Sequence, residues 1–367
     1  MIQAEETRRA APAGAAAARP RIVEYAPEHF EALREAAAST PQSASLTHRP
    51  FVDYYYASAE RCRLYLFLDA EGAVAGTLGV ERVGFEHEGR PLALSFGSNF
   101  FAFRKGAAGL LFMHWMKTYP AGVVFGGSPD THHITRSQKW AYYGGVKTYL
   151  LNRAYQPHAG DSPLRALAKW GARSLGRRVA LGRLARRVPP EFAGRLSVRE
   201  EASATGEMLP RRSPFSLRMA EGADYLNWRY NTRLPFVRYR VFRVLDRNET
   251  SGYVIINESP SRLIVSQCDG EQAEALAHAV VLALAEASRG DRRPREVMLT
   301  SSHDAMRRAF EAYGFRAAPQ ERPFAVGSRR GGVELGEDTS GWLVNFDWTD
   351  NGLRPPFLDQ GRGGRAG

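Results

Sequence analysis

The feature that most constrains this chain is that it repeats itself at long period. Tyr65 and Tyr239 lie 174 residues apart, Gly76 and Gly252 lie 176 apart, and Gly145 and Gly314 lie 169 apart. Similar patterns surround these anchors. In the first copy Arg21–Tyr25 reads as a strand and His29–Ala38 as a helix. Leu64–Leu68, Ala73–Val83 and Leu92–Phe103 read as three strands. Leu110–Lys117 then reads as a helix, Val123–Gly126 as a strand, Ile134–Tyr143 as a helix and Val146–Ala154 as a last strand. The second copy has strands at Tyr239–Leu245, Gly252–Asn257 and Arg262–Cys268, with a strongly apolar helix over Glu271–Arg289 capped by Asp269. A strand at Glu296–Thr300, a helix at His303–Tyr313 and a strand at Pro323–Gly327 complete it. A period this long implies two domain-sized α/β units, not a solenoid of short repeats.

The repeat divides the chain. Residues 1–20 form an Ala-rich leader expected to be disordered, and 21–155 the first unit. Residues 156–198 form a basic helical connector, 199–350 the second unit, and 351–367 a Gly/Pro/Arg-rich tail also expected to be disordered. Hydrophobic residues make up 44% and charged residues 24% of the chain, enough for a core in each unit. No apolar run approaches the roughly 18 residues of a membrane-spanning helix. Cys62 and Cys268 are too few for a disulfide framework or a cysteine zinc site. No metal is expected, and two isolated thiols fit a reducing, cytoplasmic setting. The net charge of +11 points to an anionic partner.

Arg104-Lys105-Gly106-Ala107-Ala108-Gly109 joins a strand to a helix. Small residues at a helix N-terminus present unpaired N–H groups at the positive end of the helix dipole. Arg104 and Lys105 add full charges. This is a device for binding a pyrophosphate. It lacks the Gly-Lys-Ser/Thr ending of a Walker loop and the three spaced glycines of the dinucleotide fingerprint.

The stretch from Ser98 to Gly109 resembles the acyl-CoA pyrophosphate loop of GNAT-type N-acyltransferases, whose pattern is Q/R-x-x-G-x-G/A. Ser137–Val146 and Met306–Phe315 resemble that family's helix ending in Tyr-x-x-x-Gly-Phe. The β-α-β-β-β-α-β-α-β order agrees. Tyr225–Tyr230 and Trp342–Asp350 are similar to tandem acyltransferases of polysaccharide and cell-envelope pathways. The resemblance implies an α/β protein with two GNAT-like modules, each a mixed central sheet flanked by helices. It implies acetyl-CoA, or another acyl-CoA, held at Phe101, Phe103, Arg104, Lys105, Gly106, Ala107, Ala108 and Gly109. Ala107 stands where the family has its middle glycine. The second copy has Gln267-Cys268-Asp269-Gly270-Glu271 at the matching place. Two carboxylates there would repel a pyrophosphate, so the second module is expected to be degenerate.

The implied reaction is direct attack of an acceptor amine on the thioester, the acceptor being a small molecule or amino sugar. Tyr142 and Tyr143 are candidate acids for the departing thiolate, though Ala141 occupies the family's tyrosine spacing. Glu81, His132 and His133 are candidate bases. Two other functions stay open: a non-catalytic acyl-CoA-binding scaffold, and a Fem-type transferase using aminoacyl-tRNA. The connector carries eight Arg/Lys and no acid between Pro163 and Val188, with apolar residues at roughly helical spacing. It reads as a linker packed on the modules or as an amphipathic contact with an anionic membrane surface. RNA is the least supported partner, since no RNA motif or stacking platform accompanies the charge.

Overall fold

A computed structural model of the chain describes residues 19–57, 60–153, 162, 164, 179–292, 294–319, 322–329 and 333–348. The leader, the tail and most of the connector, including 165–178, lie outside the described residues.

The first half contributes β1 (Arg21–Glu24), α1 (Phe30–Ala38), α2 (Arg49–Val52), β2 (Cys62–Leu68), β3 (Val74–His87), β4 (Arg90–Ala102), α3 (Ala107–Thr118), β5 (Gly122–Phe125), α4 (Pro129–Ser137), β6 (Ala141–Tyr143) and β7 (Lys147–Leu151). After α5 (Leu181–Ala185) and α6 (Pro190–Ala193), the second half contributes β8 (Leu196–Glu201), β9 (Leu217–Met219), α7 (Ala223–Arg229), β10 (Arg238–Asp246), β11 (Glu249–Glu258) and β12 (Arg262–Gly270). It ends with α8 (Ala273–Ala287), β13 (Glu296–Ser301), α9 (Asp304–Ala312), β14 (Arg316–Ala317) and β15 (Phe324–Gly327).

Two expected elements differ. Ile134–Tyr143 is not one helix. Ser128 caps α4 through Thr131 N at 3.2 Å, and Pro129 occupies its first turn. Lys139 then turns the chain at φ +56°, and Ala141–Tyr143 leaves as β6. The Ser-Pro start signal was present in the sequence. Asp269 is not the cap of α8 either. It lies within β12, and Gln272 precedes the helix.

The sheets exchange their last strands. The first runs β1-β2-β3-β4-β5-β15-β6, with β9 on the side of β3. The second runs β14-β7-β13-β12-β11-β10-β8. Thus 147–151, read above as the last strand of the first unit, pairs antiparallel with β13 through Val297↔Leu151 and Ser301↔Lys147. In return β15 pairs with β5 through Phe324↔Phe125. Both are short apolar strands whose residues would suit either slot, so local pattern carries no information about the partner sheet.

The core follows this exchange. One cluster spans both halves, joining Phe51, Phe85 and Phe96 to Tyr225, Trp342 and Trp348. A second packs β7 and the second sheet against α8 and α9. A third packs α3 against the outer face of the first sheet. The described end of the connector joins the second cluster through Leu181, Leu184 and Val188, as a packed linker would.

Candidate functional site

In the first sheet, β4 and β5 run parallel but pair only at Ser95↔Gly122 and Phe96↔Val123. Beyond that point they part. Trp115 on α3 fills the apex. A Cβ on Gly97 would stand 2.9 Å from its ring, and one on Gly122 2.7 Å from it, so only glycine lets the strands meet there. The indole Nε1 donates to Ser95 Oγ at 2.8 Å, and Ser95 Oγ donates to Ala121 O at 2.7 Å. The β3–β4 register shifts between Thr77 and Gly79, opposite Asn99 at φ +46°. Three side chains hold this bulge. Asn99 Nδ2 donates to Tyr56 Oη at 2.6 Å, Ser45 Oγ donates to Asn99 Oδ1 at 3.3 Å, and Thr77 Oγ1 donates to Asn99 O at 2.8 Å. The edge of β4 beyond Phe96 is left without a ladder partner on the side of β5. Such an edge receives an extended ligand with amide groups of its own.

The gap opens into a cavity of about 1180 Å³. That exceeds the roughly 300–1,000 Å³ of common ligand pockets, so two substrates have room together. Phe100 and Val124 pack toward α3, whereas Phe101 and Phe125 pack toward the core shared with the second half. The cavity therefore passes through the sheet between the splayed strands.

At its mouth, Gly106 precedes α3 at φ +89°. No atom lies within 4 Å of a Cβ placed on Gly106 or Gly109, and Ala108 lines the cavity. The first turn of α3 holds no acid. Its N–H groups thus face open space at the positive helix end, as anion binding requires. Arg104 is ion-paired with Asp69, and with Glu71 at 3.6 Å, so its charge is compensated within the protein. The exposed Lys105 also stands on this turn. Phe101 and Phe103 stack at 6.3 Å between ring centres just before it.

The proposed acids and bases lie elsewhere. Glu81 is 1% exposed, receives a hydrogen bond from Tyr225 Oη at 2.6 Å and stands 3.2 Å from Arg229 Nε. It clamps β3 to α7. Tyr142 Oη is 2.5 Å from Thr135 Oγ1 and 3.1 Å from His132 Nδ1, beneath the Arg136 guanidinium. Tyr143 Oη accepts from Leu335 N at 3.3 Å, and its ring packs on Trp342. Burial, with Arg136 nearby, lowers the pKa of His132, and His133 is exposed on α4. None of these five lines the cavity. The charged side chains among its described lining residues are Asp130, Arg153 and Arg322, none of which was singled out from the sequence. Asp130 follows the overlooked Ser-Pro start of α4. Arg153 and Arg322 reach the site only through the strand exchange, for which the sequence carries no signal.

The second module has the same parting of strands. β12 and β13 pair from Arg262↔Glu296 to Ile264↔Met298, then separate. Here the chain fills its own gap. Asn345 accepts from Cys268 N at 3.0 Å and donates to Cys268 O at 3.1 Å. Ser302, just past β13, donates to Trp342 O at 2.9 Å. Leu343, Phe346 and Trp348 are buried alongside. The Asn345 amide thus takes the strand groups an extended ligand would need. Asp269 is buried against Arg218 Nη1 at 2.7 Å, and its burial pushes its pKa up to about 6. This module is closed to a pyrophosphate-bearing ligand by packing as well as by charge.

Among the described residues, no group of three or more His, Cys, Asp or Glu side chains could hold a metal, and no helix is long and apolar enough to cross a membrane. Both cysteines are buried and free. No protein-family model and no curated protein matches the sequence. Solved structures do match. A GCN5-related N-acetyltransferase from Anabaena variabilis superposes with a TM-score of 0.52 at 13% identity, covering 84% of this chain and 72% of that one. A tandem GNAT protein from the clavulanic acid biosynthesis pathway superposes with a TM-score of 0.50 at 12% identity, covering 86% of this chain and 100% of that one. The chain has the tandem GNAT-type fold, with mixed sheets flanked by helices.

Proposed function

We propose that this protein is an acyl-CoA-dependent N-acyltransferase whose first module binds the acyl-CoA. One observation carries the reading: the parted β4 and β5 place an unpaired strand edge and the N-terminus of α3 on one cavity. The pantetheine arm has amides for the β4 edge, and its pyrophosphate has the charge for the Lys105–Gly109 turn. The thioester supplies an activated acyl group. Main-chain N–H groups of the β4 edge polarise its carbonyl, and Trp115 closes the apex behind it. An acceptor amine enters from the face shared with the second half and attacks directly. We take the acceptor to be a small amine or amino sugar, acetyl to be the group moved, and the cytoplasm to be the compartment. The free cysteines suit that compartment.

The test is thermal unfolding with acetyl-CoA and longer acyl-CoAs, on wild type and on Gly109→Asp. An Asp in the first turn of α3 suits the helix dipole, so the variant folds while repelling an anion. Ligand at about 100 times its Kd raises the wild-type Tm by about 4 °C. The variant shows no shift. Lack of a shift in wild type with every CoA ester sinks the proposal.

A second reading, an acyl-CoA-binding scaffold, is favoured by the lack of His, Tyr, Lys or Glu among the described lining residues. Binding with no CoA release across an amine panel would establish it instead. Most of the basic connector, the proposed membrane contact, lies outside the described residues.

A further inference from the structure

The two faces of the first cavity differ in origin. On one face are α3, α4 and the phosphate-binding turn. On the other is the second sheet, whose strands alternate in facing. Tyr149, Leu151, Val297 and Leu299 enter the second module's core, while Thr148, Leu150 and Met298 line the cavity of the first. Both lining arginines belong to this far wall. Arg153 follows directly on β7, where Asn152 at φ +55° fixes the exit by bonding both ways with Val179 and donating to Arg295 O. Arg322 stands just before β15, 4.8 Å above the Phe346 ring, where burial lowers its pKa. Asp130, the lining carboxylate among the described residues, belongs to α4. The far wall therefore carries positive charge only.

A second observation points the same way. Thr148 is 4% exposed, and its hydroxyl has no hydrogen-bond partner among the described residues. A buried hydroxyl left unpaired costs roughly 1–3 kcal/mol, which a polar ligand in the cavity would recover.

We propose that the acceptor amine also carries an anionic group, a carboxylate or a phosphate, held by Arg153 and Arg322 with the Thr148 hydroxyl on the second-sheet wall. This rests on the acyl-transfer reading above. It assigns the second module a task, namely supplying the wall that selects an acidic acceptor. The CoA phosphates do not compete for this wall, because the turn assigned to them is on the opposite face.

The experiment is calorimetric titration of inorganic phosphate into CoA-saturated protein, for wild type, Arg153→Glu and Arg153→Lys. It is paired with CoA release from acetyl-CoA using glucosamine 6-phosphate against glucosamine, and glutamate against glutamine. Phosphate should bind wild type and Arg153→Lys, and Arg153→Glu should weaken it by about tenfold or more, as loss of one charge-assisted bond implies. Among any acceptors turned over, the acidic member of each pair should have the higher kcat/KM in wild type, with the preference lost in Arg153→Glu. Three results would overturn the proposal: no saturable phosphate binding, equal turnover of acidic and neutral partners, or a tenfold loss of CoA affinity in Arg153→Glu with phosphate binding unchanged. Enhanced binding of succinyl-CoA over acetyl-CoA, lost in Arg153→Glu, would assign the wall to the acyl group and overturn it too. If wild type binds no acyl-CoA, the acyl-transfer reading fails separately, and phosphate titration of the free protein still decides the anion site.

Discussion

Glu81 and Arg229 come from opposite halves of the chain and meet where both are almost fully out of water. Removing one member of such a pair strands the other, at a cost of about 3–5 kcal/mol. Glu81→Ala should lose that much stability in denaturant unfolding, whereas the double replacement Glu81→Leu with Arg229→Leu should recover most of it. Activity per folded molecule should persist in Glu81→Gln, since the carboxylate does not reach the cavity; a specific loss of kcat there would restore its role as base. Tyr142→Phe and Tyr143→Phe should likewise leave kcat within about threefold, less than the 10²–10⁴ of general acid–base groups. Asp347 offers a pH test. Burial raises its pKa to about 6, with Arg229 opposing. A carboxyl raised above its unfolded value favours folding most when protonated, below about pH 4, and that contribution is lost as pH rises through 6. Asp347→Asn should therefore stabilise the protein by about 3 kcal/mol at pH 8 and by little near pH 4, read from unfolding curves at each pH. A larger gain at low pH would contradict the assignment.

Most elements were legible because their signals are local. Alternating apolar residues mark β2, β3, β10 and β11, and glycine breaks mark the turns. The phosphate-binding turn was legible for the same reason: small residues and cations sit at a strand–helix junction. Three features were not. The parting of β4 from β5 depends on Trp115, which is fitted to Gly97 and Gly122 from a separate helix. The closure of the second module depends on Asn345 reaching back to Cys268. The positions of Glu81, Tyr142 and Tyr143 depend on what packs over them, so residue type suggested chemistry that their burial does not support. Asn345→Leu should destabilise the protein by about 1–3 kcal/mol, since it leaves buried strand groups unpaired. It should leave acetyl-CoA affinity unchanged, as the plug belongs to the second module.

At the scale of the molecule, the reciprocal exchange of β7 and β15 makes the halves interdependent. Each sheet is incomplete without a strand from the other, and one core cluster crosses between them. The boundaries drawn from the repeat describe how the sequence is organised, not units that complete their own sheets. Thermal unfolding should accordingly show a single transition. A chain ending near residue 155 should neither fold stably nor bind acyl-CoA, because β5 and β6 lose β15 between them. Two resolved transitions, or a soluble first half with full affinity, would contradict this.

The central claim is that one of two related clefts binds the acyl-CoA while the other is filled by the chain itself. Hydrogen–deuterium exchange with and without acetyl-CoA tests it most directly. The account predicts slower exchange along Gly97–Gly109 and Phe125–Ile134, and no change along Gln267–Gln272 and Leu299–Asp304. Protection of the second set, or of neither, would contradict it.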